Sequence, residues 1–386
     1  MRRALFALVL LGACATDATK PDRSTSRVPT DATSRTPRLS VGPDGTVMLS
    51  WLEDRGEGHA LRYATWADGW SAAQTAGEHD DWFVNWADTP GVLALEGGRL
   101  LAHALPMHPD GESVYAYDVA AWQRDGDWSE PALVHTDGVA AEHGFVSAVA
   151  LEDAAALVWL DGRNTGGGHG HHGGAMTLRS AVLEADGSRR DEAVLDARTC
   201  DCCPTALAAT ASGLIAAYRD RSETEVRDIA VVRRIDGAWT EPIVPHADGW
   251  QISGCPVNGP ALDARGDRVA LAWYTEAGGE ARVQLSTSTN GGVTWTEPVR
   301  LDGGRPLGRV DVTVLEDGRA AVVWLEDAGD DRADVLVRTV EGAPRSVAQV
   351  VAGRPSGVPQ IVAAGGRAMV AWTAPGRGVG TAVVSP

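Results

Sequence analysis

The sequence predicts an all-β protein, a β-propeller of four-stranded antiparallel blades, and three observations carry that prediction. An apolar, alternating strand that ends on an aromatic residue recurs along the chain. Turns of the form Asp-Gly or Asn-Gly followed by tryptophan recur between such strands. The unit that contains them repeats every 49 to 60 residues, a period that belongs to repeat architectures rather than sandwiches.

The aromatic-ending strands are TVMLSWLED, AALVWLDGR, LIAAYRDR, RVALAWYTE, AAVVWLED and RAMVAWT. Their aromatics are Trp51, Trp159, Tyr218, Trp273, Trp324 and Trp372, and RLLAHAL from Arg99 fills the remaining second place, making seven. A shorter strand precedes each, beginning near Pro37, Pro90, Gly144, Pro204, Pro260, Arg309 and Pro359. The turns ADGWS, RDGDWSEP, IDGAWTEP and NGGVTWTEP are hairpin signals: glycine accepts positive φ and the Asx side chain holds the turn amides. One four-stranded sheet cannot bury both faces alone, so successive sheets must pack side by side around an axis. Seven strand pairs favour seven blades. The last blade stops at VGTAVVSP, and a strand from near Ser26 to Thr33 is expected to complete it.

The chain opens MRRALFALVLLGAC, two arginines followed by an apolar run from Ala4 to Leu11. This reads as a secretory signal, too short to span a bilayer. Leu11-Gly12-Ala13-Cys14 resembles the bacterial lipobox; the resemblance implies lipidation of Cys14, and Ala15 after it implies the outer membrane. Residues 1–14 are therefore the signal, 15–36 a polar Ser/Thr-rich tether, and 37–386 a single propeller domain. The expected location is the cell envelope, facing the periplasm or the cell surface, with the lipid anchor as the only membrane contact. A formal charge of −18, from 34 basic and 52 acidic residues, argues against any grip on nucleic acid or anionic headgroups. The single lysine, Lys20, lies in the tether, so arginine carries the positive charge of the folded part.

Ser288-Thr-Asn-Gly-Gly-Val-Thr-Trp295 is similar to the Asp-box hairpin (BNR repeat) of sialidase-like proteins, with Asn290 in place of the usual aspartate. FVNWADTP, EHGFVS, WLDGR, TCDCCPT, GCPVNGP and PLGRVDV resemble stretches of bacterial exported proteins described by similarity as exo-α-sialidases. The resemblance covers most of the chain after the tether. It implies a sialidase-like propeller, for which six blades is the alternative count, and a glycan or similar polar ligand. A sialidase needs an arginine clamp for the substrate carboxylate, an aspartate acid and a tyrosine nucleophile activated by a glutamate. Asp88 is the candidate acid. Arg35, in Arg-Thr-Pro, with Arg227 and Arg309, is the candidate clamp. Of the five tyrosines, only Tyr218 and Tyr274 end second strands near the expected mouth, and neither follows the family's late-blade motif.

Propeller topology selects the loops that matter. Loops between blades and loops joining second to third strands share one face, and the tryptophan hairpins lie on the other. Candidate ligand-binding residues there are Asn85, His143, Asp161, Arg163, Arg219, Asp228, Asn258 and Asp311. Glu142 and His143 are adjacent on an extended strand, so only one is expected to enter the mouth. Metalloprotease, serine hydrolase, P-loop and dinucleotide motifs are missing from the sequence.

TCDCCPT packs Cys200, Cys202 and Cys203 into the loop before the fourth blade, and Cys255 lies in the loop before the fifth. Adjacent blades bring the four together. Two disulfides are one reading, given export. A soft-metal site for copper or zinc is another, with His169, His171 and His172 of GHGHH as further donors; a redox-active vicinal pair is a third. A non-catalytic interaction scaffold is the remaining functional alternative.

Overall fold

In a strand, residues two apart share a face, so the Trp-x-acid spacing of the aromatic-ending strands places an indole beside a carboxylate. The computed structural model, which describes residues 28–166 and 174–386, shows this arrangement three times. In Val47–Arg55, Trp51 Nε1 donates to Glu53 Oε1 at 2.9 Å. In Ala154–Asp161, Trp159 donates to Asp161 Oδ2 at 3.0 Å, and in Ala320–Gly329, Trp324 donates to Glu326 Oε2 at 2.8 Å. All three indoles are fully buried. Burying one tryptophan is worth roughly 4–6 kcal/mol, and the carboxylate spares its N–H the cost of going unpaired. In Arg268–Thr275 the position two beyond Trp273 is Thr275, and the indole turns instead to Asp248 Oδ2 of the preceding interblade loop, at 2.7 Å.

Seven antiparallel sheets follow one another, each an uninterrupted meander of neighbouring strands. Their first strands, Arg35–Val41, Gly91–Ala94, His143–Ala150, Ala206–Thr210, Ala261–Arg265, Pro306–Val314 and Gln360–Ala364, line an axial cavity of about 810 Å³. The apolar cores lie between blades: Trp324 of the sixth blade packs with Ala272, Val283 and Leu285 of the fifth. The described residues contain no α-helix and no helix long and apolar enough to cross a membrane. In the second blade two short strands, Asp127–Trp128 and Ala132–Leu133, share the outer place against Ala120–Asp125.

Side chains on several inner strands latch one blade to another. Asp263 Oδ2 accepts from Val314 N (2.7 Å) and Thr313 Oγ1 (2.9 Å), and Asp311 Oδ2 accepts from Ile361 N (2.8 Å). Arg38 reaches from the first blade to the carbonyls of Thr89 (3.3 Å) and Val146 (3.0 Å). The ring closes where Thr36 N donates to Thr373 Oγ1 (3.2 Å) and Trp70 Nε1 to Thr381 Oγ1 (3.1 Å).

The closing blade differs from expectation. It has three strands, and the described part of the segment expected to add a fourth lies beside Gly378–Val384 without a ladder. Val28 is buried against Val379 and Val383. Pro29 lacks an N–H, and Asp31 Oδ1 bends the chain by accepting from Thr33 N (2.8 Å) and Ser34 N (3.1 Å). The Asp-box turn forms as expected: Asn290 Oδ1 accepts from Thr294 N at 3.0 Å, with Gly291 and Gly292 both at positive φ.

Candidate functional site

The loop joining the second and third strands of blade two carries Tyr117 to the axial end of the ring. Its backbone is pinned there: Tyr117 N donates to Ala141 O (3.1 Å) and His143 N to Tyr117 O (3.0 Å). Phe83 stacks on the phenol, with ring centroids 4.0 Å apart. The hydroxyl lies 2.9 Å from Asp88 Oδ2 and 3.0 Å from Glu142 Oε1, so two interblade loops and one intrablade loop converge on a single proton. Gly144 makes the room, because a Cβ there would stand 2.0 Å from Asp88 Oδ2 and 2.8 Å from the Tyr117 ring.

One phenol proton cannot satisfy two carboxylates. One carboxyl must therefore be protonated and donate to the phenol oxygen. Burial pushes Asp88 up to about 7, against the opposing pull of its bonds to Phe145 N and Tyr117. It pushes Glu142 up to about 8 and holds the phenol well above its usual value. Tyr117 and Asp88 are enclosed, while Glu142, at 9% exposed, is the most accessible of the three; Asp88 is the one that borders the axial cavity.

The four cysteines converge beside it. Cys200, Cys202 and Cys203 are buried, Cys255 is exposed, and all four are free thiols. No disulfide joins them: Cys200 and Cys202 Sγ stand 3.9 Å apart, about twice a covalent S–S length. Cys255 nevertheless approaches the group, close enough for Cys202 to hold its thiol low. Cys200 N donates to Arg219 O at 2.9 Å, which fixes the loop, and Arg227 Nη1 donates to Cys200 Sγ at 3.3 Å. Burial opposes ionisation of Cys200, but hydrogen bonds from Cys202 and Cys203 and the Arg227 charge outweigh it and hold this thiol low. His169, His171 and His172 lie outside the described residues, as does Cys14.

A third group spans blades two and three. His135 and His143 stack between two carboxylates. Asp137 Oδ2 lies 3.3 Å from His135 Nδ1 and 3.1 Å from His143 Nε2. On the opposite edge, Asp118 Oδ1 lies 3.5 Å from His135 Nε2 and 3.8 Å from His143 Nδ1. Asp161 binds Arg163 through Nε and Nη2, both at 2.7 Å. These donors approach within metal-binding range. Because the rings are parallel, however, an ion shared by both would sit outside both ring planes, away from the nitrogen lone pairs. Glu142 faces Tyr117 and His143 faces Asp137, in keeping with the expected divergence of neighbours on a strand.

The arginines are engaged within the fold. Arg35 pairs with Asp54. Arg227 is held by Cys200 and Glu225. Arg309 donates to the carbonyls of Gly353 and Gly357 and lies over Trp86, 4.4 Å from the ring centroid. Arg219 gives three donors to the carbonyls of Asn258, Arg227 and Tyr274. Asn85, Asp228 and Asn258 accept from backbone amides of Ala87, of Gly249 and Trp250, and of Arg309 respectively. Asp311 lies on the inner strand. The geometry thus brings Asp88 and the cysteines into chemically dense groups and gives the arginines positioning work. Sequence reasoning passed over Tyr117, Asp118, His135 and Asp137. For Tyr117 and Asp118 the usable signal was the long polar gap between the second and third strands of blade two; His135 and Asp137 lie in the interblade loop that follows, and the topology sends both segments to the same face.

The fold and this loaded axial end define a seven-bladed propeller with a polar, acidic mouth. No protein-family model and no curated protein matches the chain. Solved structures do match. A polysaccharide lyase of family PL25, an ulvan lyase bound to a GlcA(1-4)Rha3S repeat, is 12% identical over 94% of this chain and 93% of its own, with a TM-score of 0.54. A protein of unknown function from Dyadobacter fermentans is 11% identical over 95% of this chain and 99% of its own, with a TM-score of 0.50. A sialidase from Streptococcus pneumoniae is 12% identical over 97% of this chain and 70% of its own, at 0.42. At these identities the first two likenesses show the fold alone.

Proposed function

We propose that this protein binds and processes a glycan at the axial mouth, with Glu142 as the acid that meets the ligand and Tyr117 and Asp88 as the groups that position and reprotonate it. The observation that carries the reading is the Tyr117 hydroxyl held between the two carboxyls. A carboxyl protonated near neutral pH is poised to donate to a glycosidic oxygen. With the extra proton on Asp88, Asp88 donates to the phenol oxygen and the phenol donates to Glu142. When both protons shift one place along this chain, Asp88 is left ionised, the phenol is unchanged and Glu142 holds the proton it delivers. Asp88 takes up a proton from solvent before the next turnover. The fold shared with the ulvan lyase supports a saccharide ligand. The engaged arginines argue against a carboxylate clamp of the sialidase kind. The lipobox-like start supports a place in the cell envelope.

The test is a panel of neutral and acidic polysaccharides, read by reducing-end release and by binding calorimetry. Glu142→Gln is expected to abolish turnover and keep binding. A panel with neither binding nor turnover, or full turnover in Glu142→Gln, overturns the reading.

A further inference from the structure

The thiol group beside the mouth has no part in that proton relay, and its geometry has a use of its own. The Sγ atoms of Cys200, Cys202 and Cys203 lie within 4.8 Å of one another, with 3.9 Å between the first two, and Cys255 from the next interblade loop lies outside that trio but near enough to Cys202 for the two thiols to shift each other's ionisation. A tetrahedral ion with metal–sulfur bonds of about 2.3 Å requires sulfurs about 3.8 Å apart. The measured pair fits that edge.

The surroundings match the charge such an ion would leave. Four thiolates around Zn²⁺ carry two net negative charges, and around Cu⁺ three. Arg227, 2% exposed, donates to Cys200 Sγ, and its Nε is buried without a partner. The Arg219 guanidinium also acts on Cys203. One buried cation bonded to a sulfur, with a second guanidinium close enough to act on the cluster, is what an anionic metal–thiolate centre needs, and neutral packed thiols do not. Sulfur-only donors select closed-shell soft ions over magnesium, calcium or manganese. Cys255 is the exposed member, so the ion has a way in from solvent, with three buried sulfurs behind it.

We propose that Cys200, Cys202, Cys203 and Cys255 bind one thiophilic closed-shell metal ion, Zn²⁺ or Cu⁺, at the junction of the third-to-fourth and fourth-to-fifth interblade loops. Binding expels the remaining thiol protons to solvent and leaves the sulfurs unoxidised. The site is independent of the glycan reading.

The experiment takes the full chain, prepared under reductant and stripped of metal, and titrates it with Zn²⁺ in one arm and with Cu⁺ as a soluble complex in the other. Native mass spectrometry and elemental analysis give the stoichiometry. One ion per chain is expected in at least one arm, and competition between the arms identifies the preferred ion. Co²⁺ as a spectroscopic probe is expected to give an intense thiolate charge-transfer band. Cys255→Ser leaves the three buried sulfurs packed, so it separates ligation from folding; it is expected to weaken binding at least tenfold with circular dichroism unchanged. Tyr117→Phe, which disables the proposed acid relay, is expected to leave the stoichiometry intact, so that failure of one reading is visible apart from failure of the other. No ion retained beyond that of a Cys202→Ser, Cys255→Ser double variant overturns the proposal. So does a reduced chain whose mass shows disulfides re-forming in preference to metal uptake.

Discussion

The imidazole rings of His135 and His143 lie parallel, their centroids 3.9 Å apart and their planes 10° from coincidence. Two charged rings cannot share that spacing, and their surroundings divide the roles. Burial, together with the neighbouring His143, pushes His135 down to about 4. Burial also opposes the charge on His143, but the Asp137 hydrogen bond and the Asp161 carboxylate prevail and raise it.

The sign of the pH effect follows from linkage. A histidine depressed in the fold contributes stability that is complete above its unfolded value and is lost as pH falls from about 6.5 towards 4. That loss is on the order of 3 kcal/mol. His143 works oppositely, its contribution being present at low pH and lost as pH rises through its folded value. Replacing His135 by Phe keeps the stacked ring but leaves Val119 N without its acceptor, so the variant should start about 1–3 kcal/mol less stable at pH 7.5. Its stability should then fall less steeply than wild type between pH 6.5 and 4, as measured by urea unfolding at each pH.

Asp88 and Glu142 carry the reverse signature. A carboxyl raised in the fold holds its proton longer than in the unfolded chain, so stability declines as pH climbs from the ordinary carboxylate range through about 7 and 8. Glu142→Gln cannot ionise and should be more stable than wild type at pH 9 by roughly 1–3 kcal/mol, while turnover disappears. Wild-type turnover should fall as pH rises through about 8. An unchanged alkaline melting curve in the variant would remove the basis for the raised carboxyl.

Gly144→Ala tests the space behind the phenol. The new methyl would displace the Asp88 carboxylate from both Tyr117 and Phe145 N, whose bond to Asp88 Oδ1 is 2.7 Å long. Overpacking and a lost buried acceptor together should cost about 2–4 kcal/mol. Calorimetry of the purified variant reads it directly.

Glu326 is the hub of the sixth blade. Its carboxylate accepts from Trp324 Nε1 at 2.8 Å and from Gly303 N at 2.9 Å. Glu326→Ala should destabilise by about 1–3 kcal/mol because the Trp324 indole N–H remains buried without its acceptor. Glu326→Gln should recover part of that, since its carbonyl still accepts. A double-mutant cycle with Trp324→Phe isolates the indole share.

Much of the fold was legible in the sequence because strand period and burial agree at Trp51, Trp159 and Trp324, where alternation marks both the element and its buried face. The meeting of Cys255 with the other thiols was legible for a topological reason, since consecutive interblade loops are neighbours in any closed ring. The final blade was not, because Pro29 and the Asp31 turn override the expectation of one more strand. Tyr117 escaped because its loop has no periodicity and its partners, Asp88 and Glu142, lie far away in sequence. The arginines misled for a related reason: residue type announces a donor, but the acceptors of Arg219 and Arg309 are backbone carbonyls that no sequence pattern displays.

The joints of the disc are unequal. Latches such as Asp263 to Val314 and Asp311 to Ile361 join blades that are consecutive along the chain, so the polypeptide itself holds those blades close even when a latch lets go. Only the joint between last and first blades has no such leash, and its clasp includes Thr36 on Thr373 and Trp70 on Thr381. Like a bracelet, the molecule should part there first under heat or force, with the other six hinges still shut.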